Sequence, residues 1–494
     1  MSSEIKLPHI PKEVASYPVS QNAFKLPVIN PSEETRVTYL QEADTDTVNR
    51  IVDTASRAFV KGIWREKSIS ERCDILKHAA VLIRDKADEI AALDTLTTGL
   101  CFHRSTLRQT RAAADWFDFF ADLIRTDSSQ KFSNTLFNTD VVRDPVGVCG
   151  LFTPWNIPVM GAGLKLSAAL AMGNSCVIKP SEQSPLGTLE LVDCLYEAGV
   201  PRDVLGLVNG RGHITGAALA SHPEIARISF TGGEEAGAII AQEAAGRFAK
   251  TTLELGGKSG NIIFQDADYE RALDGALLSV YGNNGQACLA GSRILVQKSI
   301  ADKFIADFVS RVKNIKIGDP FEKATELGPL SSKPHMERVL EYTQIAKDEG
   351  GELLTGGTRA EGFETGYYID PIVTLAKSNS DRVCQEEIFG PFATFLIFDD
   401  EDESVSMAND SRFGLAGYVW SQNIKKAQHV AARLRAGTVV INSSFLRERQ
   451  APFGGYKASG VNREGGHWSL DFYSEAKTIV TATGENLIPS LGKG

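Results

Sequence analysis

The sequence predicts an α/β protein built on parallel sheets with helices on both faces, divided into more than one domain. Three observations predict it. From residue 148 onward, short apolar segments alternate with helical patterns, which is the signature of strands joined by helical crossovers. Four consecutive strand-like segments each end in a turn rich in Gly, Pro or Ser. The chain has 494 residues, more than one hydrophobic core usually organises.

Composition narrows the function classes. Hydrophobic residues make up 43% and charged residues 23%, an ordinary globular balance. The formal net charge of −10, with no long Lys/Arg run, argues against a nucleic-acid partner. Seven cysteines, at 73, 101, 149, 176, 194, 288 and 384, are scattered without a C-x-x-C. They fit neither a disulfide framework nor a zinc site, so no metal is expected and a reducing, cytoplasmic setting is. The opening stretch MSSEIKLPHIPKEV has no apolar h-region, and no 18-residue apolar run occurs. Neither a secretory signal nor a membrane partner is therefore expected.

Residues 1–40 read as irregular, with prolines at 8, 11, 18, 27 and 31. Residues 44–126 read as helical. Asp44 or Thr45 can cap a helix through Ala58, and Ser68 with Glu71 fits a capping box before Ile75–Ile83. Val142–Phe152 reads as a strand pair broken at Asp144-Pro145. Val148–Phe152, Ser175–Ile178, Val204–Val208 and Ile225–Phe230 are expected strands. Ala162–Ala171, Leu186–Ala198 and Glu234–Ala245 are expected helices between or after them. Residues 409–420 read as a turn into a strand, and Lys477–Thr483 as a strand near the tail.

Ligands of such sheets sit at the carboxyl ends of the strands. The turns there are Thr153-Pro-Trp-Asn-Ile-Pro, Lys179-Pro-Ser-Glu, Asn209-Gly-Arg-Gly-His-Ile-Thr-Gly and Thr231-Gly-Gly. A Gly-rich turn opening a helix can hold a phosphate through free N–H groups. The G-x-G-x-x-x-G run at 210–216 is one residue longer than the usual dinucleotide fingerprint. Lys179 reads either as a solvated helix start or as a donor to an adenosine ribose. Glu254 lies between Leu253 and Leu255, where an apolar setting raises a carboxyl pKa toward that of a useful base. A strand-edge glutamate facing water is the alternative. Cys288 follows 34 positions later in YGNNGQACLAGSR, among small and polar residues. A merely structural cysteine more often lies among aliphatics. In E-E-I-F-G-P, Glu387 can accept hydrogen bonds from ribose hydroxyls, and Phe389 is either a core aromatic or a cover for a flat ring.

TPWNIP, KPSE, FTGG, LELGGKS, GQAC, EEIFGP and PFGGYKASG occur in the order and spacing of the aldehyde dehydrogenase superfamily. The sequence resembles that family from about residue 25 to 483. The resemblance implies two doubly wound parallel-sheet domains and a small β oligomerisation flap. Residues 1–126 and 146–255 would form the NAD-binding domain and 256–465 the catalytic domain. Residues 127–145 and 466–494 would join copies into a homodimer or homotetramer. It further implies that Cys288 is the nucleophile, that Glu254 is the base and that Asn156 helps hold the oxyanion, with Lys165 supporting Asn156. The cofactor set it implies is Phe152, Thr153, Pro154, Trp155, Lys179, Ser181, Glu182, Gly212, Gly216, Phe230, Thr231, Gly232, Gly233, Leu255, Glu387 and Phe389. Gly233 departs from the family's usual serine, which removes one hydroxyl near the diphosphate. Glu182 beside the ribose favours NAD over NADP, because a 2′-phosphate would meet its charge.

The implied reaction is oxidation of an aldehyde through a cysteine thiohemiacetal and thioester. Glu254 argues against a CoA-acylating relative, and the intact trio argues against a non-catalytic one. Glycines at 161 and 163 would open the aldehyde tunnel. Gly161, Leu289, Phe445, Arg447, Arg449 and Phe453 form the expected substrate set, with an arginine suited to a substrate carboxylate. Both arginines can equally be surface or subunit-contact charges. The loop before PFGG and the closing REGG stretch resemble hydroxymuconic semialdehyde dehydrogenases of aromatic catabolism. A benzaldehyde-type substrate is the alternative.

Overall fold

A computed structural model describes residues 10, 13–14, 24–127, 130–485 and 488–492. The N-terminal part corrects the sequence reading. Strands β1 (Glu13–Val14), β2 (Lys25–Asn30) and β3 (Thr35–Gln41) form a sheet in the order β1-β3-β2. The prolines masked the alternation. Pro27 pairs opposite Tyr39 on an edge strand, where a missing N–H is tolerated, while Val28 and Leu40 are buried. Residues 1–9, 11–12 and 15–23, and the readings made of them, lie outside the described residues.

The helical region follows its caps. Asp44 accepts from the Thr47 N–H at 2.8 Å and starts α1 (Thr45–Val60). Ser68 and Glu71 form the reciprocal capping box of α2 (Ile69–Asp85). Helix α3 (Ala87–Thr98) and α4 (Leu107–Thr126) follow, and Trp116, Phe117 and Phe120 of α4 are buried.

Strands β4 (Gln130–Ser133) and β5 (Phe137–Pro145) come next, then β6 (Val148–Phe152). The break falls at Val146-Gly147 rather than Asp144-Pro145, and β5 and β6 belong to different sheets. Asn174 explains the break: its Oδ1 accepts the N–H groups of Val146 at 2.7 Å and Gly147 at 3.3 Å, which takes both donors out of any ladder. Beyond β6 run α5 (Pro158–Ala171), β7 (Ser175–Lys179), α6 (Leu186–Ala198), β8 (Leu205–Leu207), α7 (Ala217–Ser221), β9 (Ile225–Thr231), α8 (Glu234–Ala245) and β10 (Lys250–Glu254). Helix α5 begins four residues before its apolar pattern, because Pro158 suits a first-turn position.

A second series contains β11 (Gly260–Ile263), α9 (Tyr269–Tyr281), β12 (Arg293–Gln297), α10 (Lys298–Val312), α11 (Lys333–Asp348), β13 (Glu352–Thr355), β14 (Ile372–Leu375), β15 (Phe392–Phe398), β16 (Ala416–Trp420) and β17 (Thr438–Ile441). Its sheet has the order β13-β14-β15-β12-β11-β16-β17, and only β13 runs antiparallel to its neighbour. With β18 (Gly460–Val461) and β19 (Ser474–Ala482), the first sheet reads β18-β10-β9-β6-β7-β8 and a small antiparallel sheet reads β19-β5-β4. In the first sheet the chain moves one way from β6 to β8 and then returns to the other side through β9. That switch point opens a crevice at the strand ends.

Candidate active site

A cleft of about 700 Å³ occupies that crevice. Every residue assigned to the cofactor from the sequence lines it, and so do Asn156, Glu254 and Cys288. His213, Ile239, His335 and Arg338 also line it and were not singled out in the sequence. Lys165 and the expected substrate residues lie outside this lining.

Cys288 is partly exposed, whereas the other six cysteines are buried. It is presented by an unusual turn: Asn283, Asn284 and Gly285 all have left-handed backbones, with φ of 57°, 57° and 72°. Asparagine tolerates that region better than most residues, and here its side chains also hold the turn. Asn283 Nδ2 donates to the carbonyls of Asn156 and Gln286 at 3.1 Å each. Asn284 Nδ2 donates to Gly99 and Pro329 carbonyls at 2.8 and 3.0 Å. A Cβ at Gly285 would overlap Gly390 and Pro391, so only glycine lets this turn dock on the EEIFGP loop. Asn156 is buried, and its Nδ2 donates to the Gln286 carbonyl at 2.9 Å, which fixes the amide two residues before Cys288. Burial, then the charges of Glu387 and Glu254, push the Cys288 thiol up to about 12, and the Arg447 charge and the Leu289 N–H pull the other way.

Glu254 ends β10, is 4% exposed, and among the described residues neither carboxylate oxygen has a hydrogen-bond partner. Burial first, and the Glu464 charge second, raise its pKa well above the ordinary value, with Lys165, Arg447 and Arg463 opposing. The exposed strand-edge alternative is thereby excluded. Lys165 requires a correction. Its Nζ donates to Glu464 at 2.7 Å and Ser229 at 2.8 Å, and not to Asn156. Lys165 faces β9 and the REGG loop because a buried ammonium needs a carboxylate, and Glu464 is the buried one within reach. Glu464 was missed; a charged residue beside two glycines in REGG was its only local signal.

At the other end of the cleft Lys179 is buried, and its Nζ donates to the Pro180 carbonyl at 3.0 Å and Glu182 at 3.4 Å. Glu182 also accepts the Gly212 N–H at 3.3 Å. Gly233 caps α8 without a side chain, and a Cβ there would meet nothing within 4 Å. Between the ends, Glu387 accepts the Gly257 N–H at 2.9 Å, and burial raises its pKa to about 7. Phe389, at φ 64°, turns its ring edge-on to Trp155 at 5.2 Å. The cleft thus offers an apolar wall with Pro154, Ile239 and Phe230, a Lys–Glu pair, an open helix N-terminus and a second carboxylate, together with Cys288. These fit the adenine, ribose, diphosphate and second ribose of a dinucleotide.

On the substrate side two readings change. A Cβ at Gly163 would press on the Ala113 backbone at 2.8 Å, so this glycine brings α5 close to α4 and opens no tunnel. At Gly161 a Cβ would meet Pro154 at 3.3 Å, so that glycine also accommodates the TPWN turn. Arg449 is paired with Asp115 at 2.6 Å and is therefore committed to α4. Arg447 instead lies over Phe453 at 4.0 Å and Trp116 at 5.1 Å. Among the described residues it makes no ion pair. Phe445 packs toward Gly282 before the cysteine turn, and the Leu289 carbonyl accepts from the Tyr418 hydroxyl at 2.7 Å.

The fold and this cleft together define a dinucleotide-dependent oxidoreductase with a cysteine at its reacting end. The aldehyde dehydrogenase family matches residues 19–479, and the chain belongs to that family. It is 42% identical over 465 residues to a betaine aldehyde dehydrogenase of Bacillus subtilis (strain 168), covering 92% of this chain and 94% of that one. Among solved structures it is similar to betaine aldehyde dehydrogenase from Staphylococcus aureus in complex with NAD+. That likeness has a TM-score of 0.93 at 38% identity and covers 97% of this chain and 95% of that one. It is also similar to HpcC from Thermus thermophilus, with a TM-score of 0.92 at 37% identity over 95% and 92% of the two chains.

Proposed function

We propose that this enzyme uses NAD to oxidise an aldehyde that carries a carboxylate, a semialdehyde of aromatic catabolism of the 2-hydroxymuconic type. One observation carries the substrate reading: among the described residues the Arg447 guanidinium makes no ion pair and lies over the Phe453 and Trp116 rings at 4.0 and 5.1 Å. An unpaired arginine beside a reacting thiol suits a substrate anion. A quaternary ammonium aldehyde, as the names of several relatives indicate for them, needs free aromatic faces. Here Arg447 already covers Phe453 and Trp116 and would repel it. A neutral benzaldehyde-type substrate is the second reading, supported by the same two rings.

In this mechanism Cys288 attacks the aldehyde carbon as the thiolate, its proton having gone to solvent. The new oxyanion is held by the Asn156 amide N–H not committed to Gln286 and by the Cys288 backbone N–H. NAD, when bound, supplies the acceptor for the hydride that leaves the thiohemiacetal. Glu254 then takes a proton from the water that cleaves the thioester. Lys165, Ser229 and Glu464 keep a fixed polar cluster behind it. Residues 127–145 and 466–494 serve assembly into a dimer or tetramer. This reading is supported by the small β19-β5-β4 sheet, whose Phe132, Ile479 and Val480 side chains are exposed. Residues 1–126 with 146–255, and 256–465, are the cofactor and catalytic domains of this reading.

The test compares kcat/KM for a carboxylated semialdehyde, benzaldehyde and betaine aldehyde in the unaltered enzyme and in Arg447→Ala. The anionic substrate should lose about ten- to a hundredfold on substitution, as expected for a lost charge-assisted bond. Equal losses for the charged and neutral substrates would show that Arg447 is structural.

A further inference from the structure

Five ionisable side chains lie together on the Lys179 side of the cleft: Lys179, Glu182 and His213 line it, and Glu42 and Arg211 adjoin them. Glu42 directly follows β3 and is 5% exposed. Its Oε1 accepts the Arg211 backbone N–H at 2.8 Å and Nε at 3.0 Å, and its Oε2 accepts Nη2 at 2.7 Å. Burial pushes the Glu42 carboxyl up, but the Arg211 bonds and charge, aided by His213, bring it below its ordinary value. The guanidinium lies over the Phe24 ring at 4.9 Å. Arg211 immediately precedes Gly212, which lines the cleft and donates to Glu182. Lys179 is tied to the same Glu182. Both basic side chains of the pairs, Arg211 and Lys179, are therefore committed to carboxylates.

Resting on the cofactor reading above, we propose that Glu42 is a determinant of dinucleotide selectivity, acting by withholding the Arg211 guanidinium from the ribose 2′ position. A fork-shaped guanidinium one residue from a cleft-lining glycine is well suited to a phosphate monoester. Held by Glu42, it leaves a 2′-phosphate facing Glu182 with only the shared Lys179 for relief. Glu42 is thus a positioning residue that acts through Arg211, separate from the direct repulsion by Glu182.

Calorimetric titration with 5′-ADP and 2′,5′-ADP tests this without turnover. Glu42→Gln keeps an oxygen for the Arg211 backbone N–H while removing the charge. It should tighten 2′,5′-ADP binding about tenfold, the scale of a charge-assisted phosphate contact, and leave 5′-ADP binding nearly unchanged. Adding Arg211→Gln to that variant should abolish the gain. Arg211→Gln alone, which retains a donor for Glu42, should leave 2′,5′-ADP binding where it was. Equal tightening of both nucleotides, a gain that survives loss of Arg211, or weaker 2′,5′-ADP binding in the Arg211→Gln single variant overturns the proposal. If the unaltered enzyme binds neither nucleotide, the cofactor reading falls and this inference with it.

Discussion

Glu254 lines the cleft and Glu42 lies beside it, bound to Arg211, and the two expose only 4% and 5% of their surface. Glu42 is surrounded by donors, all from Arg211, and its pKa falls. Glu254 has no partner for either oxygen, and its pKa rises well above normal. Burial pushes both carboxyls up; at Glu42 the Arg211 donors outweigh it, and at Glu254 no donor offsets a heavier desolvation. The paired glutamate is ionised and holds geometry. The unpaired one binds a proton more tightly than an ordinary carboxyl, at a cost to folding stability.

The sharpest way to break the contrast is at Cys288, the proposed nucleophile in the same cleft. Cys288→Ala should abolish dehydrogenase turnover while NAD still binds, and turnover by the alanine variant above a small percentage of wild type would remove Cys288 from the chemistry. In the unaltered enzyme kcat/KM should rise with pH through the alkaline range, because burial and two carboxylates disfavour the thiolate.

Glu254→Gln should lower steady-state turnover roughly a hundredfold or more, as loss of a general base does. A pre-steady-state burst of reduced cofactor should persist, since thioester hydrolysis is the step that needs the base. If burst and turnover vanish together, the main role of Glu254 is to deprotonate Cys288.

Stability against pH separates the two glutamates. A carboxyl with a raised folded pKa binds more protons folded than unfolded, so its contribution is intact below the unfolded value near 4.3 and is lost as pH rises toward the folded value. Glu254→Gln should therefore melt higher relative to wild type at pH 8 than at pH 5. Glu42 has the opposite sign: its contribution is present above the unfolded value and lost on acidification through the lowered folded one. Glu42→Gln should destabilise by about 1–2 kcal/mol near neutrality, reduced by the partial solvent access of Arg211, and by less at pH 4. Parallel melting profiles for the two variants would mean that the partners do not decide the charge states.

The smallest effect is expected at Gly233. The position is open and its backbone, φ −74° and ψ 156°, suits serine. Gly233→Ser should stabilise by a few tenths of a kcal/mol as a helix cap and tighten NAD modestly. Weaker NAD binding would mean that the diphosphate fills the space a side chain would take.

The residues that line the cleft at strand ends were legible because their signals are local. TPWN, KPSE, FTGG and LELGG each follow a short apolar strand, and the chain puts strand ends of one parallel sheet on one edge whatever the loop lengths. The Ser68–Glu71 cap and Cys288, set among small and polar residues, were legible for the same reason. What the sequence could not carry is which distant charge meets which. Arg447 and Arg449 are two residues apart in one loop, yet Arg449 finds Asp115 across 334 positions while Arg447 finds only rings. Lys165 meets Glu464 across 299 positions, and Glu42 meets Arg211 across 169. Gly163 resembled an open tunnel until α4 was seen lying against it. Periodicity and spacing report the surroundings of a residue within a few turns of chain. The partner of a buried charge is set by which elements pack against each other, and only the tertiary structure decides that.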